Sequence, residues 1–169
     1  MYIPFEQLPP HSRVWIYQAE HSFSKDDAKM ISETLKEFCS QWLAHGHPLQ
    51  SSFKIEYNQF IILAVDENEA QASGCSIDGS LRVMKALGSQ LAIDFFNRLK
   101  IVVMTNDSIK TCSKQEVESN YRSGRLSGES ITFNNLAATK DEFEKNWRIP
   151  LENSWLAKYL RRNALSTLD

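Results

Sequence analysis

Residues Ala72 to Ser80, reading ASGCSIDGS, gather the side chains best suited to chemistry in this chain. A small-residue loop that turns from an apolar segment into a helix leaves free N–H groups at the positive end of the helix dipole, and such junctions bind anions. Gly74 and Gly79 permit close backbone approach, while the hydroxyls of Ser73, Ser76 and Ser80 add donors. The same field favours a thiolate at Cys75, which makes it a candidate nucleophile. Ser73, Gly74, Ser76, Asp78 and Ser80 are then the candidate ligand-binding residues, for a small anion. His45 and His47, in the run His45-Gly46-His47, can serve Cys75 as a base. An H-x-H pair alone defines no metal site, so none is expected, and no cofactor is indicated. The alternative is that Cys75 is a small residue packed after a strand, and that the serines and Asp78 cap a helix. The loop has neither GxxxxGK[ST] nor GxGxxG, which excludes a nucleotide P-loop.

Other polar and aromatic residues have plainer readings. His11 and His21 belong to no constellation. Asp66, Glu67 and Glu69 form an acidic, solvated loop beside the junction. Trp15, Trp42, Trp147 and Trp155 read as core. Lys158, Arg161 and Arg162 complement the dipole of a last helix.

The elements that must position these residues follow from periodicity. Arg13 to Tyr17 is a short aromatic and β-branched strand. Ser24 with Asp27 starts a helix whose apolar face is Ala28, Ile31, Leu35, Phe38 and Trp42, with Gly46 and Pro48 as its stop. Phe53 to Tyr57 alternates as a half-exposed edge strand, Asn58-Gln59 reads as a turn, and Phe60 to Val65 is apolar throughout, as a central strand should be. Ser76 to Asn97 carries Leu81, Met84, Leu87, Leu91 and Phe95 at helical spacing, with Ser76 or Asp78 as cap. Leu99 to Met104 is a fourth strand, stopped by Asn106-Asp107. The order β-α-β-β-α-β predicts an α+β fold, a ferredoxin-like βαββαβ sandwich over residues 1–106, with the first and third strands central. Both helices would cover one sheet face and leave the other to solvent, to a partner or to the rest of the chain. Residues 107–169 are too few for a comfortable independent core and are expected to pack on the first unit as an α/β extension, with a Ser113/Glu116 helix start, Gly124 as a cap, a strand at Ile131 to Phe133, and a helix from Trp155 to Leu160. Ser166 to Asp169 should fray.

Composition bounds what this fold can serve. The chain has 169 residues, 42% of them hydrophobic, and balances 19 Lys and Arg against 21 Asp and Glu for a net charge of −2. That balance supplies no global field for a polyanion, so nucleic acid is not an expected partner. No apolar run reaches the ~18 residues of a membrane span and no signal segment is visible. With three dispersed cysteines, Cys39, Cys75 and Cys112, a reducing, cytoplasmic setting is expected.

Met1 to Phe5, Arg13 to Gln18, Ala44-His45-Gly46 with Pro48-Leu49, Ala72 to Asp78 and Phe133 to Leu136 together resemble a small family of uncharacterised bacterial proteins marked by the run SGCSID. The resemblance spans nearly the whole chain. Some members are labelled ABC transporter ATPases, which these residues do not support: neither a Walker A motif nor an LSGGQ-type signature is present. The resemblance implies no activity. Two functions therefore stand side by side: a binding or protein-interaction module using the free sheet face to hold a partner or a second copy of the chain, and a small thiol enzyme or anion-binding protein built on Cys75.

Overall fold

Local hydrogen bonds start each long helix where the side chains require it. A computed structural model describes residues 1–68, 70–105 and 108–165, with side chains through residue 161. In chain order the elements are β1 (Arg13–Gln18), α1 (Lys25–Gln41), β2 (Leu43–Ala44), β3 (His47–Pro48), β4 (Gln50–Glu56), β5 (Phe60–Asp66), α2 (Gly74–Leu91), β6 (Ile101–Thr105), β7 (Ser108–Cys112), α3 (Lys114–Arg122), β8 (Ile131–Phe133), α4 (Lys140–Asn146), β9 (Arg148–Pro150) and α5 (Ala157–Leu165). The fold is mixed α+β with antiparallel sheets. Ser24 caps α1 in a closed box with Asp27, as its spacing predicts. The helix stops at Gln41, earlier than Gly46, because Leu43–Ala44 pairs with His47–Pro48 as a small hairpin. His45 and Gly46 form its turn at φ 49° and 81°, the positive angles that a two-residue hairpin loop demands.

The chain divides into two units, residues Met1–Asn97 with Asn135–Lys145, and Arg98–Asn134 with Asn146–Asp169. The division precedes β6, whereas a boundary at residues 106 and 107 would cut between β6 and β7, which pair with each other. Unit 1 takes residues 135–145 back from what reads in sequence as the C-terminal extension.

Unit 1 is built on a three-stranded antiparallel sheet in the order β1-β5-β4. The continuously apolar β5 is central, and the alternating β4 is an edge, as predicted. The expected four-stranded βαββαβ sheet is not formed. Its fourth strand exists as β6 but lies between β7 and β8 in the other unit, so β1, expected at the centre, is an outer strand. The physical reason is visible on the free side of β1: the Val14 amide donates to the Ala138 carbonyl at 2.9 Å and Arg13 bridges Thr139, so a later segment already occupies that edge. The outer side of β4 is taken by the first residues, through a Tyr2–Ser51 bridge and an Ile3 amide bond to the Ser51 carbonyl at 2.9 Å. Capped edges cannot recruit another strand at these positions.

Alternation along β5 divides its side chains between two faces. Ile61 and Leu63 pack with Ile31, Leu35 and Cys39 of α1 and with Met84 and Leu87 of α2. Phe60, Ile62 and Ala64 point the other way and are also fully buried. Of the three covers the sequence allows for this face, the structure uses the chain itself. Phe5 and Phe143 meet edge to face at 5.9 Å, and Lys54 of β4 reaches over the Phe5 ring. Lys140, buried, donates to the Leu8 carbonyl at 2.7 Å and the Glu6 carbonyl at 3.3 Å, tying α4 to the N-terminal segment. The binding reading that depended on an open sheet face loses that face.

Unit 2 holds a four-stranded antiparallel sheet, β7-β6-β8-β9. Ser113 and Glu116 close the expected capping box on α3, and Gly124 follows it at φ 74°. Ile101, Val103, Cys112, Val117, Leu126, Leu151, Leu156 and Leu160 form the core. Trp147 is buried on Phe133 at 4.7 Å between ring centres. Trp155, expected in the core with it, is not: 57% of it is exposed. Asn106-Asp107 and Ser166 to Asp169 lie outside the described residues.

Candidate functional site

The β5–α2 junction forms where the chain leaves the central strand, and Ser73, rather than Ser76 or Asp78, caps the helix. Its hydroxyl accepts from the Ser76 amide at 3.2 Å. This shift of the cap decides where the other hydroxyls go. Ser76, Ser80, Met84 and Leu87 then fall on one stripe at spacings of four, four and three, and all are buried. Ser76 Oγ donates to the Ser73 carbonyl at 2.8 Å and Ser80 Oγ to the Ile77 carbonyl at 2.7 Å. Ser80 also bonds the Tyr17 phenol, whose pKa is nevertheless raised by its burial. Of the five candidate ligand-binding residues, Ser76 and Ser80 therefore face the core and Ser73 is used as the cap; Gly74 and Asp78 remain exposed. The inward placement of Ser76 and Ser80 has a sequence signal, the continuation of the Met84–Leu87 stripe back toward the N-terminus.

Cys75 points outward and is the exposed one of the three cysteines. His45 and His47 are exposed at the hairpin. No hydrogen bond or ion pair joins either imidazole to Cys75 among the described residues. What joins their elements is Trp42. Its buried indole N–H donates to the Ser76 carbonyl at 3.0 Å, and its ring lies 4.7 Å from Phe38 and 6.0 Å from Trp15. Trp42, Ala44, Leu49 and Val65 close a small core under the hairpin, with Ala70 against it. The hairpin that carries both histidines thus rests against the helix that carries Cys75, although 28 or more residues separate them in sequence.

A second polar group gathers at the same end of the sheet. His11 Nε2 lies 3.3 Å from the largely buried Asp66 carboxylate, which also accepts from the Asn68 amide at 3.1 Å. Arg13 pairs with Glu67 at 3.7 Å and stacks on Trp15 at 4.8 Å. Glu67 in turn accepts from the Ala72 amide at 2.9 Å, anchoring the loop just before the helix cap. The acidic loop is consequently a brace as well as a solvated turn, and His11 has a partner that sequence did not reveal. The remaining member of that loop, Glu69, lies outside the described residues. Among the described residues no group of three or more His, Cys, Asp and Glu side chains is placed to hold a metal ion, and no helix is long and apolar enough to cross a membrane.

Compared with known protein families, with curated proteins and with solved structures, the chain matches none of them. The chemistry of this end of unit 1 is argued from its own residues.

Proposed function

We propose that the protein is a binding module for a protein partner, which includes a second copy of the chain, and that its recognition surface is the end of unit 1 made by the β2–β3 hairpin and the first turn of α2. The observation that carries this reading is the seat of the hairpin on the helix through Trp42 and Ser76. A surface fixed before its partner arrives loses little conformational freedom on binding. It offers Leu43, 49% exposed, as an apolar contact, with His45, His47, Cys75 and Asp78 exposed on the same two elements. Meanwhile the hydroxyls that an oxyanion site requires are bonded internally.

A second reading has one observation in its favour: two imidazoles and an exposed thiol lie on elements that pack together. In that reading Cys75 attacks a substrate or holds an anion, with His45 or His47 as base. Alkylation of Cys75 across neutral pH separates the two. For a binding module the rate is the same in the wild-type chain, in His45→Ala and in His47→Ala, and inorganic phosphate does not slow it. A rate that drops in either histidine variant, or under phosphate, transfers the function to the thiol reading. Sedimentation of the full chain supplies the positive arm: concentration-dependent association that Leu43→Glu abolishes supports the proposed surface.

A further inference from the structure

The near-neutral charge of the chain conceals two opposite units. Unit 1 has 9 Lys and Arg against 15 Asp and Glu, a formal −6, and unit 2 has 10 against 6, a formal +4, which together return the −2 of the whole chain. Within the basic unit, one surface combines charge with an exposed and a half-buried aromatic ring. Trp155 is held outward because its neighbours are fixed inward. Leu156 is fully buried, and the buried Ser154 hydroxyl donates to the Leu151 carbonyl at 2.7 Å while accepting from the Leu156 amide at 3.2 Å. One turn on, Tyr159 meets Trp155 edge to face at 5.9 Å. Lys114 lies 3.2 Å from the centre of the Tyr159 ring and Lys158 4.9 Å from it, so the lysines rim the aromatic pair. Arg161 extends the basic edge along α5.

We infer that this face of α5 docks an acidic segment of a partner protein, an apolar side chain lying against Trp155 and carboxylates against Lys158 and Arg161, while Lys114, paired with Glu118, holds the Tyr159 ring in place. An exposed tryptophan with a cationic rim is the composition of an interface anchor, where an aromatic supplies area and charge selects the partner. The complementary charge identifies the occupant as anionic. A nucleic acid strand fits less well. Glu118 lies 3.7 Å from Lys114 and 3.9 Å from Arg122, and Glu116 caps the same helix, so carboxylates interrupt any track of phosphates along α3. Two rings also provide too little apolar surface to anchor the chain in a lipid interface. This proposal uses no residue of the unit 1 hairpin and stands or falls independently of the one made there.

The test is a titration of the full chain into a fluorescently labelled synthetic peptide of alternating Glu and Leu, followed by anisotropy, beside labelled oligothymidylate and vesicles containing phosphatidylserine. The peptide is expected to bind, about tenfold more weakly after Trp155→Ala or Lys158→Glu and more weakly as salt is raised. Both substitutions are at exposed positions, and an unchanged thermal midpoint in Lys158→Glu shows that lost binding is not lost folding. Absence of peptide binding, or binding that neither variant weakens, overturns the inference. So does Trp155-dependent binding of the oligonucleotide or the vesicles in place of the peptide.

Discussion

The first turn of α2 and the outer face of α5 present their side chains by opposite means. At α2 a run of small polar residues folds its hydroxyls into the helix cap and the core, leaving Cys75 and Asp78 outside. At α5 no motif marks the site, yet Ser154, Leu156 and Leu160 are buried and the register between them turns Trp155 outward. A serine can satisfy the backbone as readily as a ligand, so its presence at a helix start is ambiguous until the cap is located. A large exposed aromatic has no such internal use. It is the more informative surface, because burial of an indole is the default outcome of folding.

The largest expected effect breaks this comparison at its two tryptophans. Trp147→Ala removes a buried ring packed at a tilt against Phe133 and should cost unit 2 about 3–5 kcal/mol. Trp155→Ala should change stability by no more than about 0.5 kcal/mol, as exposed substitutions do. Urea denaturation of the two variants checks both; equal losses would mean that Trp155 is a core residue and no docking anchor. Next in size is Trp42→Phe, which keeps an apolar ring but deletes the donor to Ser76. A loss of about 1–3 kcal/mol is expected, because the buried Ser76 carbonyl is left without its indole donor, together with faster hydrogen exchange of the β2–β3 amides. Unchanged exchange would show that the hairpin is held by Leu49 and Ala44 alone.

Most local features of this fold are legible in the sequence because short-range hydrogen bonds and periodicity determine them. Ser24 with Asp27 and Ser113 with Glu116 start helices at the predicted positions, and the apolar run from Phe60 marks a central strand. Strand partners are not legible in this way. The apolar, β-branched run from Ile101 to Met104 specifies a strand but not whether β1 or β8 lies beside it. The edge of β1 is taken by Ala138 and Thr139, some 120 residues away, and no local pattern announces that return. The turn before β5 is centred on Tyr57 and Asn58, both at positive φ, rather than on Asn58-Gln59, because the Gln59 side chain is buried and donates to the Ala19 carbonyl at 3.0 Å. At the candidate site, Cys75 and the histidines were visible as residue types. Their shared end of the sheet came from the Trp42 contact, which depends on where α1 stops.

Cysteine chemistry sharpens the contrast between exposed surface and interior. Native protein should take up one equivalent of maleimide, at Cys75, while Cys39 and Cys112 react only on unfolding, which peptide mapping checks. Burial pushes the Cys39 thiol up to about 12, against a hydrogen bond with Ser51 that lowers it. Cys112 is raised by burial as well. A thiol whose folded pKa exceeds its unfolded value keeps its contribution to stability below the ordinary range near ~8.5 and loses it as pH rises toward the folded value. Stability should therefore decline on the alkaline side, and Cys39→Ala should flatten that decline although its baseline is lower. An alkaline limb that is identical in the variant assigns the decline to other groups.

The smallest effects come from the two helix caps, one in each unit. Ser113→Ala should cost about 1 kcal/mol, the usual value of a lost cap. Hydrogen bonds from Ser113 hold the Glu116 carboxylate below its ordinary range, and those from Ser24 do the same for Asp27. A depressed folded pKa contributes stability that is present above the unfolded value near ~4 and lost as pH falls through the folded one. Glu116→Gln and Asp27→Asn should accordingly flatten the acid limb. The caps differ in what they support. Lys114, the first residue of α3, lies over Tyr159, so fraying that turn should also weaken the acidic peptide by a few-fold. The start of α1 lies about 25 Å from its other end, at 1.5 Å per residue over 17 residues. Ser24→Ala should therefore leave exchange at the β2–β3 hairpin unchanged; faster exchange there would mean that α1 transmits fraying along its whole length to the recognition surface of unit 1.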